Sequence, residues 1–321
     1  MPLTIALLND RDLAETLGKR GTASDIQLYN YKVRENDLTF VYPDKYPEKI
    51  SPLLNTLDMA DLALVVVREI NKEVGEELIA LSMLNFSNTM LILENYLTIN
   101  DWNKIAKGTI LENCKVLEKS VPVLLDYFES AEPKKAPPKP YVTIDHVFPV
   151  KGIGTVILGV SRGEVKRHEK LRLYPTDKIV EIKSVQVHDV DVNAGKNGER
   201  VGLALKDIEA EEVERGQVLA KDGSFKVVNE LDVDGEIVGY YKGPVEAGKS
   251  FHASLRLAFV PIKIESINIE SATSGTPAAN KKFNGKISLQ KPLAVKDGDK
   301  IVLVDMNAKG LRIVGSATAK V

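Results

Sequence analysis

The segment that decides the fold begins with K-G-I-G-T-V-I-L-G at Lys151–Gly159. It continues with G-E-R-V-G-L-A-L-K at Gly198–Lys206 and closes with E-E-V-E-R-G-Q-V-L-A-K at Glu211–Lys221. Its apolar residues fall in short alternating runs, which Gly, Asp, Asn and Pro-Thr turns separate. Such runs are typical of the antiparallel strands of a closed barrel or a sandwich, and not of alternating strands and helices. We therefore predict an all-β domain at 141–222.

The chain before this segment alternates aliphatic runs with amphipathic ones, which predicts strands and helices in turn. The predicted strands are Leu3–Leu8, Ile26–Val33, Leu38–Tyr42, Leu62–Val67 and Met90–Leu93, and the predicted helices include Glu73–Leu84, Asp101–Lys107 and Ser120–Phe128. Asn9 or Asp10 can cap a first helix that ends near Gly18. Continuous aliphatic strands are typical of parallel sheets that are covered on both faces. The alternation predicts a doubly wound α/β domain over residues 1–130.

Two further regions complete the predicted organisation. Residues 131–140 contain four prolines and three lysines, a composition that predicts an extended, semi-rigid linker. Residues 223–321 again consist of short strand-like runs, with turn signals such as Asp234-Gly235, and we predict a second β-rich domain there. Within it, residues 271–282 have the composition of an exposed loop.

Composition narrows the classes of protein. The 321 residues are 44% hydrophobic and 27% charged, with a formal net charge of −2, so no overall basic field indicates a nucleic-acid binder, although a local patch can serve. The single cysteine, Cys114, excludes intramolecular disulfides and fits a reducing compartment. The first residues have no basic leader, and their apolar run is too short for a membrane span. We expect a cytoplasmic protein without a membrane partner.

The motifs G-x-G-T-V-x-x-G, R-V-G-L-A-L and E-x-x-E-R-G-Q-V-L occur in this order over 141–221. They resemble the second domain of the elongation factor Tu family of translation GTPases, and Gln186 and Arg200 are closer to its selenocysteine-specific branch. The later runs K-P-L-A-V, D-G-D-K and R-I-V-G resemble the third domain of the same factors. The resemblance implies a P-loop-GTPase-like doubly wound domain followed by two β-barrels, and a role in protein biosynthesis.

The nucleotide motifs of that family are degenerate here. The phosphate loop needs glycines, a lysine and a hydroxyl, because backbone N–H groups and the lysine hold phosphates while the hydroxyl ligates Mg²⁺. The first strand instead runs into Asn9–Asp12, and no glycine occurs before Gly18. Tyr42–Lys45 and Glu94–Leu97 stand where the resemblance places the metal-binding and guanine-binding motifs. We predict a pseudo-GTPase that needs no cofactor, in which GTP and Mg²⁺ could bind only through a non-standard site.

One basic, glycine-bearing loop remains in the first domain, formed by Lys19, Arg20, Gly21 and Thr22. Backbone N–H groups and basic side chains at such a loop could hold a phosphate or an RNA backbone. The alternative is an ordinary polar loop between a helix end and a strand.

The resemblance also implies three RNA-binding candidates in the second domain. Gln186 corresponds to a residue that packs against the terminal adenosine of tRNA, Arg200 to a residue of the aminoacyl pocket, and Arg215 to an arginine that contacts the acceptor end. Each has a structural alternative. Gln186 could face solvent, Arg200 could pair with a glutamate on the barrel rim, and Arg215 could anchor its loop through Glu211 or Glu212.

Three hypotheses follow for the function. The first is a translation protein that binds tRNA, at its aminoacyl end, or a ribosomal partner without a normal GTP cycle. The second is a GTP-binding elongation factor with a non-standard nucleotide site, and the third is a regulatory or scaffold protein that docks a translation factor through the pseudo-GTPase domain. No catalytic residue is assigned, and His146, His168, His188 and His252 lack the spacing of a metal site.

Overall fold

The computed structural model describes residues 2–33, 36–270 and 280–321, so the loop expected at 271–282 lies mostly outside the described residues. Within these ranges the first part of the chain forms one sheet and five helices. The strands are β1 (Leu3–Leu8), β2 (Lys19–Ala23), β3 (Gln27–Val33), β4 (Asn36–Tyr42), β5 (Leu62–Val67), β6 (Thr89–Leu93) and β7 (Lys115–Val116), and the helices are α1 (Arg11–Leu17), α2 (Ser51–Met59), α3 (Lys72–Met83), α4 (Ile99–Ala106) and α5 (Val121–Ser130).

The sheet has the order β2-β3-β4-β1-β5-β6-β7. Strands β4, β1, β5, β6 and β7 run parallel, while β2, β3 and β4 pair antiparallel. Every residue of β1 and β5 is buried, because helices cover both faces. In β1, Ile5 and Leu7 pack with Leu13 and Phe128 on one face, whereas Leu8 packs with α2 on the other. This alternation is the period of two that a strand imposes, and the predicted doubly wound α/β domain is confirmed.

Helix α1 has the predicted caps. The Asp10 carboxylate accepts a hydrogen bond from the Leu13 N–H at 3.0 Å, and the Gly18 N–H donates to the Ala14 carbonyl at 3.1 Å. An oxygen at the N-cap satisfies one of the backbone donors that the first turn leaves free.

The prediction of a loop at 19–22 is wrong, because these residues lie in the edge strand β2. Lys19 pairs with Asn30, and Arg20 with Tyr29. The chain passes so close to β3 that a Cβ on Gly21 would lie 2.9 Å from the Asn30 side chain. Because this strand has no apolar face, its composition resembles that of a polar loop.

The segment that decided the fold forms the second sheet. Its strands are β8 (Tyr141–Val150), β9 (Gly154–Arg162), β11 (Lys170–Tyr174), β12 (Ile179–Val187), β13 (Val190–Val192), β15 (Arg200–Lys206) and β16 (Val218–Ala220), while β10 (Val165–Lys166) and β14 (Ala194–Gly195) pair separately. The order is β11-β16-β8-β9-β15-β12-β13, and an added pairing of β11 with β12 closes the sheet on itself. We call this unit the middle barrel, and its apolar interior is continuous.

A second closed barrel follows, in the order β17-β20-β19-β18-β21-β22. Its strands are β17 (Lys226–Ile237), β18 (Ser250–Leu255), β19 (Ala258–Ile269), β20 (Lys281–Val295), β21 (Lys300–Val304) and β22 (Ile313–Lys320). We call it the last barrel. The two barrels after an α/β domain match the predicted architecture, while the proposed domain limits at 130, 140 and 222 stay predictions.

Buried ion pairs join the three units. Arg162 on β9 contacts the Asp61 carboxylate, which also accepts from the Thr4 N–H at 2.9 Å. Arg312 of the last barrel donates to Glu76 of α3 from its backbone N–H at 3.0 Å and from Nε at 3.1 Å. Among the described residues, no helix is long and apolar enough to cross a membrane.

Candidate functional site

The first region to consider is the sheet edge where β1, β5 and β6 end, since ligands of doubly wound folds bind outside the carboxyl ends of the strands. Asp10 lies there with 3% of its surface exposed. Both Arg68 Nη2 and Lys119 Nζ lie 2.6 Å from Asp10 Oδ2. The same two cations contact Glu94, at 2.9 Å from Arg68 and 3.1 Å from Lys119. The four side chains form one ion-pair network, which we call the edge network.

The edge network fixes a negative charge at the start of α1. Burial opposes ionisation of Asp10, but hydrogen bonds from Lys119 and from the Leu13 N–H, together with the charge of Arg68, hold its pKa below the usual value. The carboxylate therefore occupies the positive end of the helix, where an anion is favourable. This is the position that the resemblance assigns to nucleotide phosphates.

The buried carboxyl group of Glu77 lies behind the network. Asn9 has a left-handed backbone (φ 67°) and donates from Nδ2 to Glu77 Oε2 at 2.7 Å. Burial, with the charges of Glu76 and Glu73 nearby, raises the pKa of Glu77 to about 8. The Asn9 carbonyl accepts from Arg68 Nη1 at 2.7 Å, so the turn after β1 is held from both sides. The cavity left at this edge has a volume of about 300 Å³.

The two predicted RNA-binding arginines lie together at the junction of the first sheet and the middle barrel. Arg200 Nη2 lies 2.9 Å from Asp145 Oδ2, and its Nη1 donates to the Thr22 hydroxyl at 3.2 Å. Arg215 Nη1 lies 2.6 Å from Asp25 Oδ1, and its Nη2 lies 3.4 Å from Asp145 Oδ1. We call these five residues the arginine cluster. The proposed partners on the barrel rim and at Glu211 or Glu212 are wrong, because aspartates take both guanidinium groups.

Asp145 is the centre of the arginine cluster and is fully buried. Burial opposes its ionisation, but the imidazole of His146 at 3.2 Å and the charge of Arg200 hold its pKa at about 2. Several donors remain without a hydrogen-bond acceptor among the described residues, namely Arg200 Nε and both Nε and Nη2 of Arg215. These atoms are buried, and Asp145 Oδ1 also has no hydrogen-bond partner among the described residues, although it lies 3.4 Å from Arg215 Nη2.

Gln186 lies apart from the cluster. It is exposed on β12, and its Nε2 donates to Asp191 Oδ1 of the adjacent β13 at 3.0 Å.

The remaining candidates line an open groove of about 530 Å³. One wall is the β2–β3 edge of the first sheet, with Lys19, Arg20 and Gly21, and the other is the β12–β13 hairpin of the middle barrel. Thr22, the next residue of β2, bonds Arg200, so one strand runs from this groove into the arginine cluster. We call this feature the edge groove.

Sequence reasoning missed Asp25, Asp61, Asp145 and Arg162. The one available signal was Asp145 itself, an acid within the otherwise strand-like run Tyr141–Phe148. It sits at an irregularity in the β8–β9 register, between Ile144 and His146.

Comparison with known proteins agrees with this architecture. Residues 154–220 match the family described as Elongation factor Tu domain 2. A protein of Methanocaldococcus jannaschii with the name "Uncharacterized protein MJ0325" is 35% identical to this chain, and the match covers 98% of each protein. This chain belongs to the same family as that archaeal protein. A selenocysteine-specific elongation factor of the same organism is 28% identical, over 97% of this chain and 74% of that factor.

Solved structures show the same fold. Translation elongation factor SelB from Methanococcus maripaludis, in complex with the GTP analogue GppNHp, superimposes with a TM-score of 0.81 at 19% identity, covering 99% of this chain and 79% of SelB. A bacterial selenocysteine-specific elongation factor gives 0.75 at 20% identity, covering 99% of this chain and 58% of that factor. The chain is a translation-factor-like protein that resembles the elongation factor Tu and selenocysteine-specific elongation factor family.

Proposed function

We propose that this protein binds RNA of the translation machinery, a tRNA or a ribosomal site, without a GTP cycle. The observation that carries the proposal is the edge network, which keeps an ionised Asp10 at the start of α1. A nucleotide would bring its phosphates to the same helix end, and two like charges repel there instead of attracting.

The cations near this edge support the same reading. Arg68 and Lys119 are the basic groups closest to Asp10, and both are already shared between Asp10 and Glu94. A phosphate group would have to compete with two carboxylates for them. The fold resembles that of a factor solved with a GTP analogue, whereas this chain has an internal anion where that ligand's phosphates would be expected.

RNA is favoured as the ligand because basic side chains without carboxylate partners lie in the edge groove, away from the edge network. Lys19 and Arg20 are exposed in the edge groove. Arg215, at the position that the resemblance assigns to the tRNA acceptor end, lies in the adjoining arginine cluster and is paired with Asp25. Groups of this kind bind phosphodiesters through charge-assisted hydrogen bonds.

The test is a titration of fluorescently labelled tRNA, charged and uncharged, in nucleotide-free buffer and again with millimolar GTP and Mg²⁺. We expect binding that is equal with and without GTP and that weakens as salt rises, because phosphate contacts release counterions. Binding that requires GTP would refute the proposal and favour a non-standard nucleotide site. If neither tRNA nor ribosomes bind while a translation factor co-purifies, the scaffold hypothesis replaces it.

A further inference from the structure

We propose that the linker between the α/β domain and the middle barrel, residues 131–140, is a docking site for a protein partner. The partner would have a groove lined by aromatic side chains, which packs on the exposed part of the linker, and carboxylates beside that groove. This inference is independent of RNA binding, because no residue of the edge groove or of the arginine cluster takes part in it.

The prolines of the linker fix its shape. They occupy positions 133, 137, 138 and 140, and each ring holds its own φ at about −65°. A residue that precedes a proline is also restricted to extended conformations, which applies to positions 132, 136, 137 and 139. The structure accordingly has neither a helix nor a strand at 131–140. Such a sequence favours the polyproline II conformation before any partner binds.

The linker is attached to the rest of the fold near both of its ends. The Lys134 N–H donates to Asp61 Oδ1 at 3.3 Å, and the Lys134 carbonyl accepts from Asn197 Nδ2 at 2.7 Å. Lys139 Nζ donates to the Gly223 carbonyl at 2.8 Å, in the turn after β16. A segment that is extended and held at two points has little conformational entropy left to lose, which favours binding.

Side-chain exposure over residues 135–140 follows a period of three. Pro137 and Pro140 are half-buried. The exposed side chains are those of Lys135, Ala136, Pro138 and Lys139. Because a polyproline II helix has three residues per turn, Pro137 and Pro140 lie on one edge, which faces the protein, and the other two edges face solvent. Residues 135–138 make no hydrogen bond to any other described residue, so their carbonyl groups are available to a partner.

The exposed edges suit a protein better than a nucleic acid. Proline lacks an N–H donor, so Pro138 offers nothing to a phosphate, whereas its ring packs on the aromatic side chains of a proline-binding groove. Lys135 lies one turn before Pro138, about 9 Å away, and has no ion-pair partner among the described residues. Carboxylates at that distance from the aromatic side chains would complement it.

The prolines also have a structural role, because a semi-rigid spacer keeps the units that it joins apart. That role is served by Pro137 and Pro140, which pack against the protein. It does not need the exposed ring of Pro138 or the charge of Lys135. A test that changes only these two exposed residues therefore separates docking from the spacer role.

Photo-crosslinking identifies what contacts the linker. The full chain carries Ala136→p-benzoylphenylalanine, and the control carries the same group at exposed Lys107, on the far side of α4 from the linker sequence. Both proteins are irradiated in an extract of the cells that produce this protein, and crosslinked species are identified by mass spectrometry. We expect a protein that is crosslinked at position 136 and not at position 107, and whose crosslinked peptide lies beside clustered aromatic and acidic residues.

The affinity of the purified partner for the full chain is then measured by isothermal titration calorimetry. The test variant carries Lys135→Gln and Pro138→Ala. The matched control carries Lys107→Gln and Pro244→Ala, which change an exposed lysine and an exposed loop proline elsewhere. We expect the test variant to lose at least about tenfold in affinity, because few residues carry a small interface, and the control to stay near wild type. Unchanged melting temperatures show that both variants remain folded.

Three outcomes overturn the inference. The first is crosslinking at position 136 that yields no protein beyond those found at position 107. The second is crosslinking of position 136 to RNA alone, which would make the linker lysines phosphate contacts. The third is a crosslinked partner that binds the test variant as tightly as the control. None of these results bears on whether tRNA binding requires GTP, so the proposed function stands or fails separately.

Discussion

Replacing Arg162 with methionine tests how the first sheet is held against the middle barrel. Arg162 is 10% exposed, and its partner Asp61 is fully buried. The guanidinium contacts Asp61 Oδ1 and also donates to the Met59 carbonyl at 2.8 Å. Methionine keeps most of the side-chain volume and removes the charge, so the buried carboxylate loses its cation.

The expected loss of folding stability depends on the hydrogen bonds that Asp61 retains in the variant. Loss of one partner of a buried ion pair costs about 3–5 kcal/mol, mostly because the other charge remains buried. Asp61 retains hydrogen bonds from the Thr4 N–H at 2.9 Å and the Lys134 N–H at 3.3 Å, which places the cost near the lower limit. We expect the free energy of unfolding to fall by about 3 kcal/mol, and the melting temperature by about 6–12 °C.

Urea denaturation followed by circular dichroism measures this change, and the chain provides a matched control. Lys320→Met also removes a cation from an ion pair, but Lys320 and Asp234 are each about half exposed. That pair should contribute less than about 1 kcal/mol. Adding Asp61→Asn to Arg162→Met should recover more than about 1 kcal/mol, because the buried charge disappears while an acceptor for Thr4 remains. If Arg162→Met costs no more than Lys320→Met, the reasoning from buried charge is wrong.

Three further predictions address the candidate sites. Millimolar GTP with Mg²⁺ should leave the melting temperature unchanged, because a ligand that binds only the native state would raise it. Burial raises the pKa of Glu77 to about 8 from 4.5, so the folded chain holds a proton that the unfolded chain releases. Stability should therefore fall as pH rises from 4.5 to 8, and Glu77→Gln should remove that slope in urea titrations at several pH values. Asp25→Asn should raise tRNA affinity by up to about fivefold, because it frees Arg215 from a partly exposed ion pair, and a loss of affinity would contradict this.

Helices and strands could be predicted from the sequence where neighbouring residues determine them. Leu62–Val67 forms a strand with the predicted limits, because a run of only six aliphatic residues that ends in three valines favours a strand covered on both faces. The first helix was predictable at both ends, since Asp10 and Gly18 are the residue types that cap helices. Strand β2 could not be predicted, because its residues are polar on both faces and it forms only by pairing with β3.

The partners of charged residues were not predictable for a different reason. Arg215 pairs with Asp25 across 190 positions, and Arg200 pairs with Asp145 across 55. Periodicity and spacing report only on neighbours within a helix turn or a strand, so local alternatives such as Glu211 appeared more natural. Only the packing of the middle barrel against the first sheet brings these side chains together.

The arginine cluster and the edge network share one arrangement, in which basic side chains surround a buried aspartate. In each, basic side chains hold the pKa of a buried aspartate low: Lys119 and Arg68 do so for Asp10, and His146 and Arg200 for Asp145. At the edge network both cations are shared with the second acid Glu94, so their charge is already balanced by two carboxylates. At the arginine cluster Arg215 is shared between Asp25 and Asp145, and Thr22 connects the cluster to the edge groove. Lys19 and Arg20 of the edge groove are exposed and have no carboxylate partner among the described residues. An anion is therefore expected to bind there, and not at the sheet edge where the resemblance would place it.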